Sequence, residues 1–233
     1  IDMHMHERTY SSDSIQGLQE MVQAAKAKGL DAICITDHDS MGLREIAENY
    51  SREIGFPIFV GVEFYSLQGD IIAFGIDSFP DRRIGAQDFV DFVQDQGGVC
   101  FACHPFRSNN RGLAHNLKTI KGLTGIEVLN GSTTFEANQI AYNYCSDLDL
   151  MPIGVSDAHH LEQLGKYATW LPNRVHTLDA FVEEIKKGVS KAAIFNGTGY
   201  SVIDGASYFK TKIVADWSLR QPFKKTKLRT LKK

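Results

Sequence analysis

The sequence has no long hydrophobic run: nowhere among its 233 residues do about 18 apolar residues follow one another. We therefore expect no membrane-spanning helix. The first residues also lack a basic segment followed by an apolar stretch, so we expect no signal peptide. Cysteine is scarce and its surroundings are mostly apolar, which favours reduced, buried thiols in a cytoplasmic protein over a disulfide framework. The four cysteines are Cys34, Cys100, Cys103 and Cys145.

The composition is that of a soluble globular protein, with 43% hydrophobic and 23% charged residues. A chain of this length can bury a sizeable core, and single α/β barrels commonly reach this size. No linker is recognisable before about residue 205. We therefore expect one domain over residues 1–205, followed by a separate segment, 206–233.

Basic residues are concentrated at the C-terminal end. Residues 210–233 hold nine Lys and Arg and one Asp, a local charge of +8, whereas residues 1–209 carry −11. A basic segment on an acidic body can contact nucleic acid or anionic lipid. The alternative is a solvated tail, or one that docks on its own acidic body. Apolar residues such as Trp217 and Phe223 indicate that part of the segment packs, so we expect it to be partly packed or disordered.

Predicted strands and helices alternate along the chain, which favours a largely parallel α/β architecture. Apolar, β-branched runs predict strands at about 2–6, 32–35, 57–64, 71–76, 99–103, 125–129, 152–155 and 192–195. Helical periodicity predicts helices at about 15–28, 41–54, 86–95, 134–148 and 178–187. Ser14 and Thr177 are predicted to cap two of these helices, and Gly29 to end the first.

Metal-ligating residues follow directly on most of the predicted strands. In an α/β fold the carboxyl ends of the strands bring residues from distant parts of the sequence into one site. His4 and His6 alternate with Met5, so both imidazoles leave the same face of a strand. Glu63 stands between apolar residues, where a carboxylate is costly unless it is paired or bound to a metal. The clusters are His4-Met5-His6, Thr36-Asp37-His38, Glu63, His104 and Asp157-Ala158-His159.

Several motifs resemble those of the PHP superfamily, named after polymerase and histidinol phosphatase. They occur in the family's order, from residue 2 to about residue 160. The resemblance implies a distorted seven-stranded (β/α)7 barrel with two or three divalent cations (Mn, Zn or Fe) that hydrolyses phosphoester bonds. The motifs are Asp2-Met3-His4-Met5-His6, Ile35-Thr36-Asp37-His38-Asp39, Gly61-Val62-Glu63, Cys103-His104-Pro105-Phe106, Ile126-Glu127-Val128-Leu129-Asn130-Gly131 and Val155-Ser156-Asp157-Ala158-His159.

The same resemblance implies a set of metal ligands. One ion would be held by His4, His6, Glu63 and Asp157, with Glu63 as the carboxylate that bridges two cations. The family's remaining histidine ligands correspond to His38, His104 and His159. The residues that would act directly in catalysis are His38, Asp157 and His159.

Two positions depart from the family's pattern. The family often has an aspartate or histidine about five residues after the first His-x-His, whereas here Asp13 lies seven residues after His6. Asp13 is either a ligand or part of a helix cap at 12–14. The family's usual histidine after the glutamate strand is replaced by Asp70, which either supplies a ligand oxygen or makes a turn.

Other polar residues extend the predicted site. Arg107 lies three residues after His104, where its planar guanidinium could bind the substrate phosphate. Asp37 is expected to orient a loop or a ligand rather than to bind metal. Glu127 either positions the site or is a structural carboxylate. Weaker candidates for phosphate binding are Arg111, His115 and His160; His176 is expected at the surface.

Three function classes follow. The first is a metal-dependent phosphoesterase acting on a phosphomonoester or a small phosphodiester. The second is a nuclease acting on DNA or RNA ends, which the basic segment would favour through salt-sensitive phosphate contacts. The third is a non-catalytic, metal-binding interaction domain, against which the nearly complete ligand set argues. We expect a small phosphorylated substrate and no membrane partner; the oligomeric state is not predicted.

Overall fold

The computed structural model describes residues 1–210. Residues Ile1–Ile203 form one compact unit, and a second unit begins at Asp204, of which residues 205–210 are helical. The basic segment lies mostly outside the described residues. Within the described part, none of the helices combines the length and the apolar character that crossing a membrane requires. The four cysteines are buried and unpaired, as predicted.

The first unit contains five α-helices and ten strands among the described residues. The helices are α1 (Leu18–Ala27), α2 (Arg44–Ile54), α3 (Ala86–Asp95), α4 (Phe135–Asp147) and α5 (Leu178–Lys186), with a short 3-10 helix at Ala114–Lys118. The strands are β1 (Ile33–Ile35), β2 (Ile58–Val60), β3 (Val62–Tyr65), β4 (Asp70–Phe74), β5 (Val99–Ala102), β6 (Gly125–Asn130), β7 (Met151–Val155), β8 (Tyr167–Trp170), β9 (Lys191–Phe195) and β10 (Tyr200–Val202).

The strands of the described residues form three sheets. The largest has the order β3-β4-β5-β6-β7, a second pairs β1 with β2, and a third has the order β10-β9-β8. The β5-β6-β7 and β1-β2 pairs are parallel, whereas β3-β4-β5 and β8-β9-β10 are antiparallel. The predicted mixed α/β class is confirmed. The expectation of a largely parallel sheet is wrong for these antiparallel parts, and the ladders do not close a seven-stranded barrel.

One predicted strand is divided in two. Gly61 separates β2 from β3, so that the run 57–64 pairs with β1 on one side of the break and with β4 on the other. A Cβ atom at Gly61 would lie 2.4 Å from the carbonyl oxygen of Ala73, so only glycine permits this approach. Residues 57–64 were predicted as one strand because Gly61 is the only sign of the break.

The N-terminal segment pairs with the ends of two strands through isolated bridges, Asp2 with Ile33 and Met5 with Ala158, both parallel. The predicted strand at 2–6 is therefore extended but belongs to no continuous ladder. It nevertheless runs in the same direction as β1, which brings its end, with His4 and His6, to the end of that strand.

The caps of the helices were predicted in part. The side chains of Thr134 and Thr177 accept hydrogen bonds from the third residues of α4 and α5, as expected for N-caps. The prediction for Ser14 is wrong, because α1 begins at Leu18 and is preceded by Gly17. The Ser14 hydroxyl instead donates to the carbonyl oxygen of His6, at 2.8 Å, and so ties the following loop to the N-terminal segment.

Aromatic packing joins α5 to the sheets. The ring of Phe181 stacks on Phe59 of β2 with centroids 5.2 Å apart and meets Phe74 of β4 edge-on at 5.3 Å. All three side chains are buried. Each such aromatic pair adds about 0.5–1.5 kcal/mol to what burial alone contributes. The apolar core lies between the sheets and the helices. The residues that follow the strand ends are outside this core and can be polar.

Replacing Asp149 by glycine should stabilise the fold. Asp149 follows the end of α4 with φ of +53° and is exposed. Glycine adopts this conformation without steric cost, and the change removes a negative charge from a helix C-terminus, so the free energy of unfolding should rise by about 0.5–1 kcal/mol. Denaturant unfolding measures the change. Asp147→Gly, at the last residue of α4, removes a negative charge from the same helix end without relieving a positive φ, so it should change stability by less than about 0.5 kcal/mol; a loss of stability in Asp149→Gly would contradict the argument.

Candidate metal centre

Strand direction explains why the ligand residues meet. The segments that carry His38, His104 and Asp157 leave the carboxyl ends of β1, β5 and β7, and Glu63 pairs with His38 through an isolated parallel bridge. Because β4 runs antiparallel to β5, its first residue, Asp70, lies at the same edge as the end of β5. Antiparallel pairing therefore brings Asp70 into the site by the start of a strand, whereas His38, His104 and Asp157 arrive by strand ends.

His4 and His6 converge on two carboxylates. Their Nε2 atoms lie 3.1 Å apart, and each is 3.4–3.5 Å from Oδ1 of Asp157 and 3.4 Å from Oε2 of Glu63. All four side chains are at most 1% exposed. Two imidazole nitrogens and two carboxylate oxygens facing one point are a ligand set suited to Zn, Mn or Fe.

Glu63 is the centre of the cluster. Besides its contacts with the first two histidines, its Oε2 lies 2.7 Å from Nδ1 of His38 and its Oε1 lies 3.0 Å from Nε2 of His104. The two oxygens therefore face different histidines. A carboxylate in this arrangement can hold two cations at once.

Asp13 lies at the outer side of the cluster. Its Oδ2 is 3.2 Å from Nε2 of both His38 and His159, and its side chain is 53% exposed. The ring of His159 stacks on His6 with centroids 4.3 Å apart. The structure thus brings Asp13 to the histidines, and the loop that carries it is not part of α1.

Asp70 is paired with an arginine. Arg111 donates to both of its oxygens, from Nε at 2.6 Å and from Nη2 at 3.0 Å, and Asp70 Oδ2 is 3.7 Å from His104 Nε2. The Arg111 guanidinium also lies 4.4 Å from the ring centroid of Tyr65. Asp70 is therefore part of the cluster, and its carboxylate is already paired with the guanidinium of Arg111.

Arg107 reaches the opposite side of the cluster. Its Nη2 donates to Oδ2 of Asp157 and, at 3.0 Å, to Oδ1 of Asn130, while its Nε donates to the hydroxyl of Thr133 at 3.2 Å. The side chain is 19% exposed. His115, by contrast, is not drawn into the cluster; its Nδ1 lies 2.5 Å from the hydroxyl of Tyr144. His176 is exposed, as predicted.

Several residues support the ligands from behind. Asp37 accepts hydrogen bonds from the amide of Glu7 and the hydroxyl of Ser11, and that hydroxyl lies 3.2 Å from Nδ1 of His6. Asp37 thus acts on His6 through Ser11, in keeping with an orienting role. The contribution of Ser11 was missed, since no sequence signal distinguishes it from any other loop serine.

Burial and charge set the protonation of the cluster. Burial is the largest single influence and would raise the pKa of Glu63 and of Asp157, but His4 and the other positive neighbours together outweigh it, and both pKa values lie well below the usual range. Burial opposes protonation of His4, yet Asp157 and other carboxylates raise its pKa well above the usual value. Burial likewise opposes protonation of His38, but the contact with Glu63 raises its pKa to about 9.

In two further groups the pKa shift follows burial. Burial lowers the pKa of His6 to about 4, so that its imidazole is neutral at physiological pH. Burial, together with the nearby charge of Glu63, raises the pKa of Asp70 to about 6 in spite of Arg111. His4 and His38, by contrast, have raised pKa values and carry protons. These protons occupy positions at which a cation would bind.

The backbone is strained at two of the candidate ligands. His104 has φ of +26° and Asp157 has φ of +51°, a region that side-chain-bearing residues rarely adopt. Such conformations cost about 1–3 kcal/mol each and cluster at functional sites. Both residues directly follow strand ends, where the turn aims their side chains into the cluster.

The residues present fit divalent cations. Glu63 Oε2 and His38 Nδ1 are buried and have no hydrogen-bond partner in the part of the chain that the structure describes. The 2.7 Å contact between them does not have the angle of a hydrogen bond. A buried carboxylate oxygen and a buried imidazole nitrogen without partners are costly, and a shared cation would satisfy both.

Comparison with known proteins yields consistent relatives. The family model described as PHP domain matches residues 2–163. An uncharacterised protein of Methanocaldococcus jannaschii is 24% identical over 139 residues, which span 55% of this chain and 80% of that protein. A Bifidobacterium adolescentis structure described as a candidate metal-dependent phosphoesterase has a TM-score of 0.59 and 20% identity, covering 81% of this chain and 96% of its own.

A second solved structure is a lesion-specific endonuclease of Pyrococcus furiosus, with a TM-score of 0.61 and 17% identity. The match covers 86% of this chain but 56% of that protein. At these identities the two solved structures establish a likeness of fold. The family match is the stronger finding, because it spans most of the chain and contains every candidate ligand described above. This chain belongs to the PHP domain family.

Proposed function

We propose that this protein is a metal-dependent phosphoesterase that hydrolyses a small phosphorylated substrate, a phosphomonoester or a small phosphodiester. The observation that carries the proposal is the convergence of four buried side chains. The Nε2 atoms of His4 and His6 each lie within 3.5 Å of an oxygen of Glu63 and an oxygen of Asp157. Membership of the PHP domain family and the unpartnered atoms of the cluster support it.

The proposed cofactors are two or three divalent cations, Mn, Zn or Fe. The first set of ligands is His4, His6, Glu63 and Asp157, and the remaining ones are Asp13, His38, Asp70, His104 and His159. When bound, such cations polarise phosphate oxygens and lower the pKa of water toward neutrality. Asp13 and His159 lie at the exposed side, where a substrate would enter.

The chain's own residues would perform the remaining steps. Arg107 can turn its planar guanidinium from Asp157 to a substrate phosphate, because carboxylates and phosphates are both recognised by its planar set of N–H donors. His38 and His159 flank Asp13 at the open side of the cluster, where an imidazole that is not ligated to a cation can pass a proton to the leaving alkoxide. Buried Glu63 and Asp157 remain ionised and hold the charge balance during the reaction.

A nuclease acting on DNA or RNA ends is the second candidate. One specific observation favours it, the likeness of fold to an endonuclease. The basic segment 206–233, from which the sequence argument for nucleic acid came, lies mostly outside the described residues. A non-catalytic, metal-binding domain is the third possibility. The same experiment distinguishes all three.

Substitution of His38 or Asp157 by alanine should abolish phosphate release while the fold is kept. Each change removes a proposed ligand, so kcat/KM should fall by more than about 100-fold. Hydrolysis by the Mn-loaded full chain is measured as inorganic phosphate released from nucleotides, histidinol phosphate and sugar phosphates, and as nucleotides released from a short DNA duplex with recessed ends.

The matched control is His176→Ala, which removes an exposed histidine and should keep wild-type rates. Release from small phosphates alone supports the phosphoesterase, and release from the duplex alone supports the nuclease. Wild-type turnover in either ligand variant would refute the assignment. A metal-loaded protein inactive on the whole panel would favour a binding domain.

Cation binding should release protons at pH 7.5. His38, with a pKa of about 9, and His4, with a pKa well above its usual value, carry protons in the metal-free protein. Both must lose them to bind a cation, so about two protons should leave and affinity should rise with pH up to about 9.

Titration calorimetry in buffers of different ionisation enthalpy measures this release. His38→Gln should release about one proton fewer than the wild type. Equal heats in all buffers would show that the metal binds elsewhere or that these histidines are neutral.

Replacing Arg107 by glutamine should weaken substrate binding. The loss of the guanidinium removes charge-assisted hydrogen bonds to phosphate, so KM should rise about 10-fold or more, with a smaller effect in Arg107→Lys. Steady-state kinetics on the preferred substrate measures it. Arg82→Gln, at an exposed position, serves as control, and an unchanged KM in Arg107→Gln would exclude the phosphate role.

A further inference from the structure

Strand β6 lies between the two ligand-bearing strands β5 and β7, and its end carries Glu127 and Asn130. We propose that this pair positions the metal ligands: Glu127 holds His4 with its proton on Nδ1 and its Nε2 toward the cation, and Asn130 holds the carboxylate of Asp157. The inference rests on the proposed metal centre and adds two residues that bind neither cation nor substrate.

The contact between Glu127 and His4 fixes the tautomer. Glu127 Oε1 lies 2.6 Å from His4 Nδ1, and both side chains are fully buried. A carboxylate oxygen accepts this hydrogen bond, so Nδ1 carries a hydrogen, and the cation would take the place of the second proton, on Nε2. His4 Nε2 is the atom that faces His6 and Asp157. Ligand histidines commonly use such a carboxylate to set ring orientation and basicity.

The second oxygen of Glu127 is already occupied. Oε2 accepts the backbone N–H of His104 at 2.6 Å and the side-chain amide of Asn130 at 2.8 Å. The N–H of His104 belongs to the residue whose backbone adopts the strained φ of +26°. Glu127 thus stabilises the turn that aims His104, and it has no oxygen left to face the cation position.

Asn130 extends the same network to the other side. Its amide nitrogen donates both hydrogens, one to Glu127 and one to Asp157 Oδ2 at 3.1 Å, while its oxygen accepts from Arg107 at 3.0 Å. The Asn130 amide nitrogen contacts two carboxylates, and its oxygen contacts a guanidinium. Only one of the two orientations of the side-chain amide satisfies these contacts. An aspartate at this position could not donate to either carboxylate.

A change of register in β6 makes the pair possible. Residues three apart on a regular strand point to opposite faces, yet Glu127 and Asn130 are in direct contact. The pairing with β7 shifts between Glu127 and Leu129, and such an irregularity turns both side chains to one side. The shift therefore serves the site, since the regular strand would direct one of the two side chains away from it.

The test is the affinity of the full chain for Zn²⁺, measured by competition with a chelating dye. Glu127→Gln should weaken binding by about 10–100-fold, but should have less than about a threefold effect when His4 is already alanine, because its action passes through that ring. In the Zn-loaded wild type, ring 15N NMR should show a downfield His4 Nδ1–H that is lost in Glu127→Gln.

Glu184→Gln is the matched control. Glu184 is a buried carboxylate of α5 that accepts hydrogen bonds from Asn173 and Lys187, neither of which belongs to the cluster. The same carboxylate-to-amide change there should lower stability and leave Zn²⁺ affinity and the His4 signal unchanged. Equal affinity in wild type and Glu127→Gln, or an equal loss with and without His4, would overturn the positioning role alone. A wild type that binds no Zn²⁺ or Mn²⁺ would overturn the proposed function with it.

Discussion

The rest of the site depends on one constraint, the burial of Glu63 among histidines. A carboxylate that is 1% exposed is tolerable only if positive charge surrounds it, and four imidazoles lie within 3.4 Å of its oxygens. Those imidazoles come from three distant parts of the sequence, since His4 and His6 are two residues apart. Strand order, strand direction and the positive φ values at His104 and Asp157 are all arranged so that these rings reach one carboxylate.

This constraint also explains why the sheet changes direction. A fully parallel ring would bring only strand ends to the site, whereas β4 runs the other way and brings its first residue, Asp70. The break at Gly61 lets one stretch of chain pair with β1 through β2 and then with β4 through β3. Glu63, two residues after the break, therefore lies near both partner strands, β1 and β4. The irregular fold is therefore a consequence of where the carboxylates must lie.

The sequence predicted the participants of the site better than the path of the chain. His4 with His6, and Asp157 with His159, stand out because they alternate, and Glu63 stands out because a charge interrupts an apolar run. The break at Gly61 was not predictable, since it depends on a contact with the carbonyl of Ala73, which is distant in sequence.

The same limit applies to polar residues that act through others. Ser14 satisfies the local rule for a helix cap, but its hydroxyl bonds to His6. Asn130 has no property in the sequence that separates it from a turn residue, and only the register shift of β6 turns it toward Asp157. A local sequence pattern indicates which interactions a side chain can make. Tertiary contacts determine which partner it makes them with.

The charges of the cluster are balanced by groups on opposite sides of it. Arg107 pairs with Asp157 on one side and Arg111 with Asp70 on the other, while His4 and His38, whose pKa values are raised, face Glu63. These positive groups offset the repulsion between the carboxylates. A cation that binds beside His4 and His38 must displace their protons, so its binding is coupled to pH. Arg111 donates to both oxygens of Asp70, whereas the ion-pair partners of Asp13 among the described residues are His38 and His159. A cation on the side of Asp13 would therefore compete with imidazoles that can lose a proton, and one beside Asp70 would compete with a guanidinium that cannot.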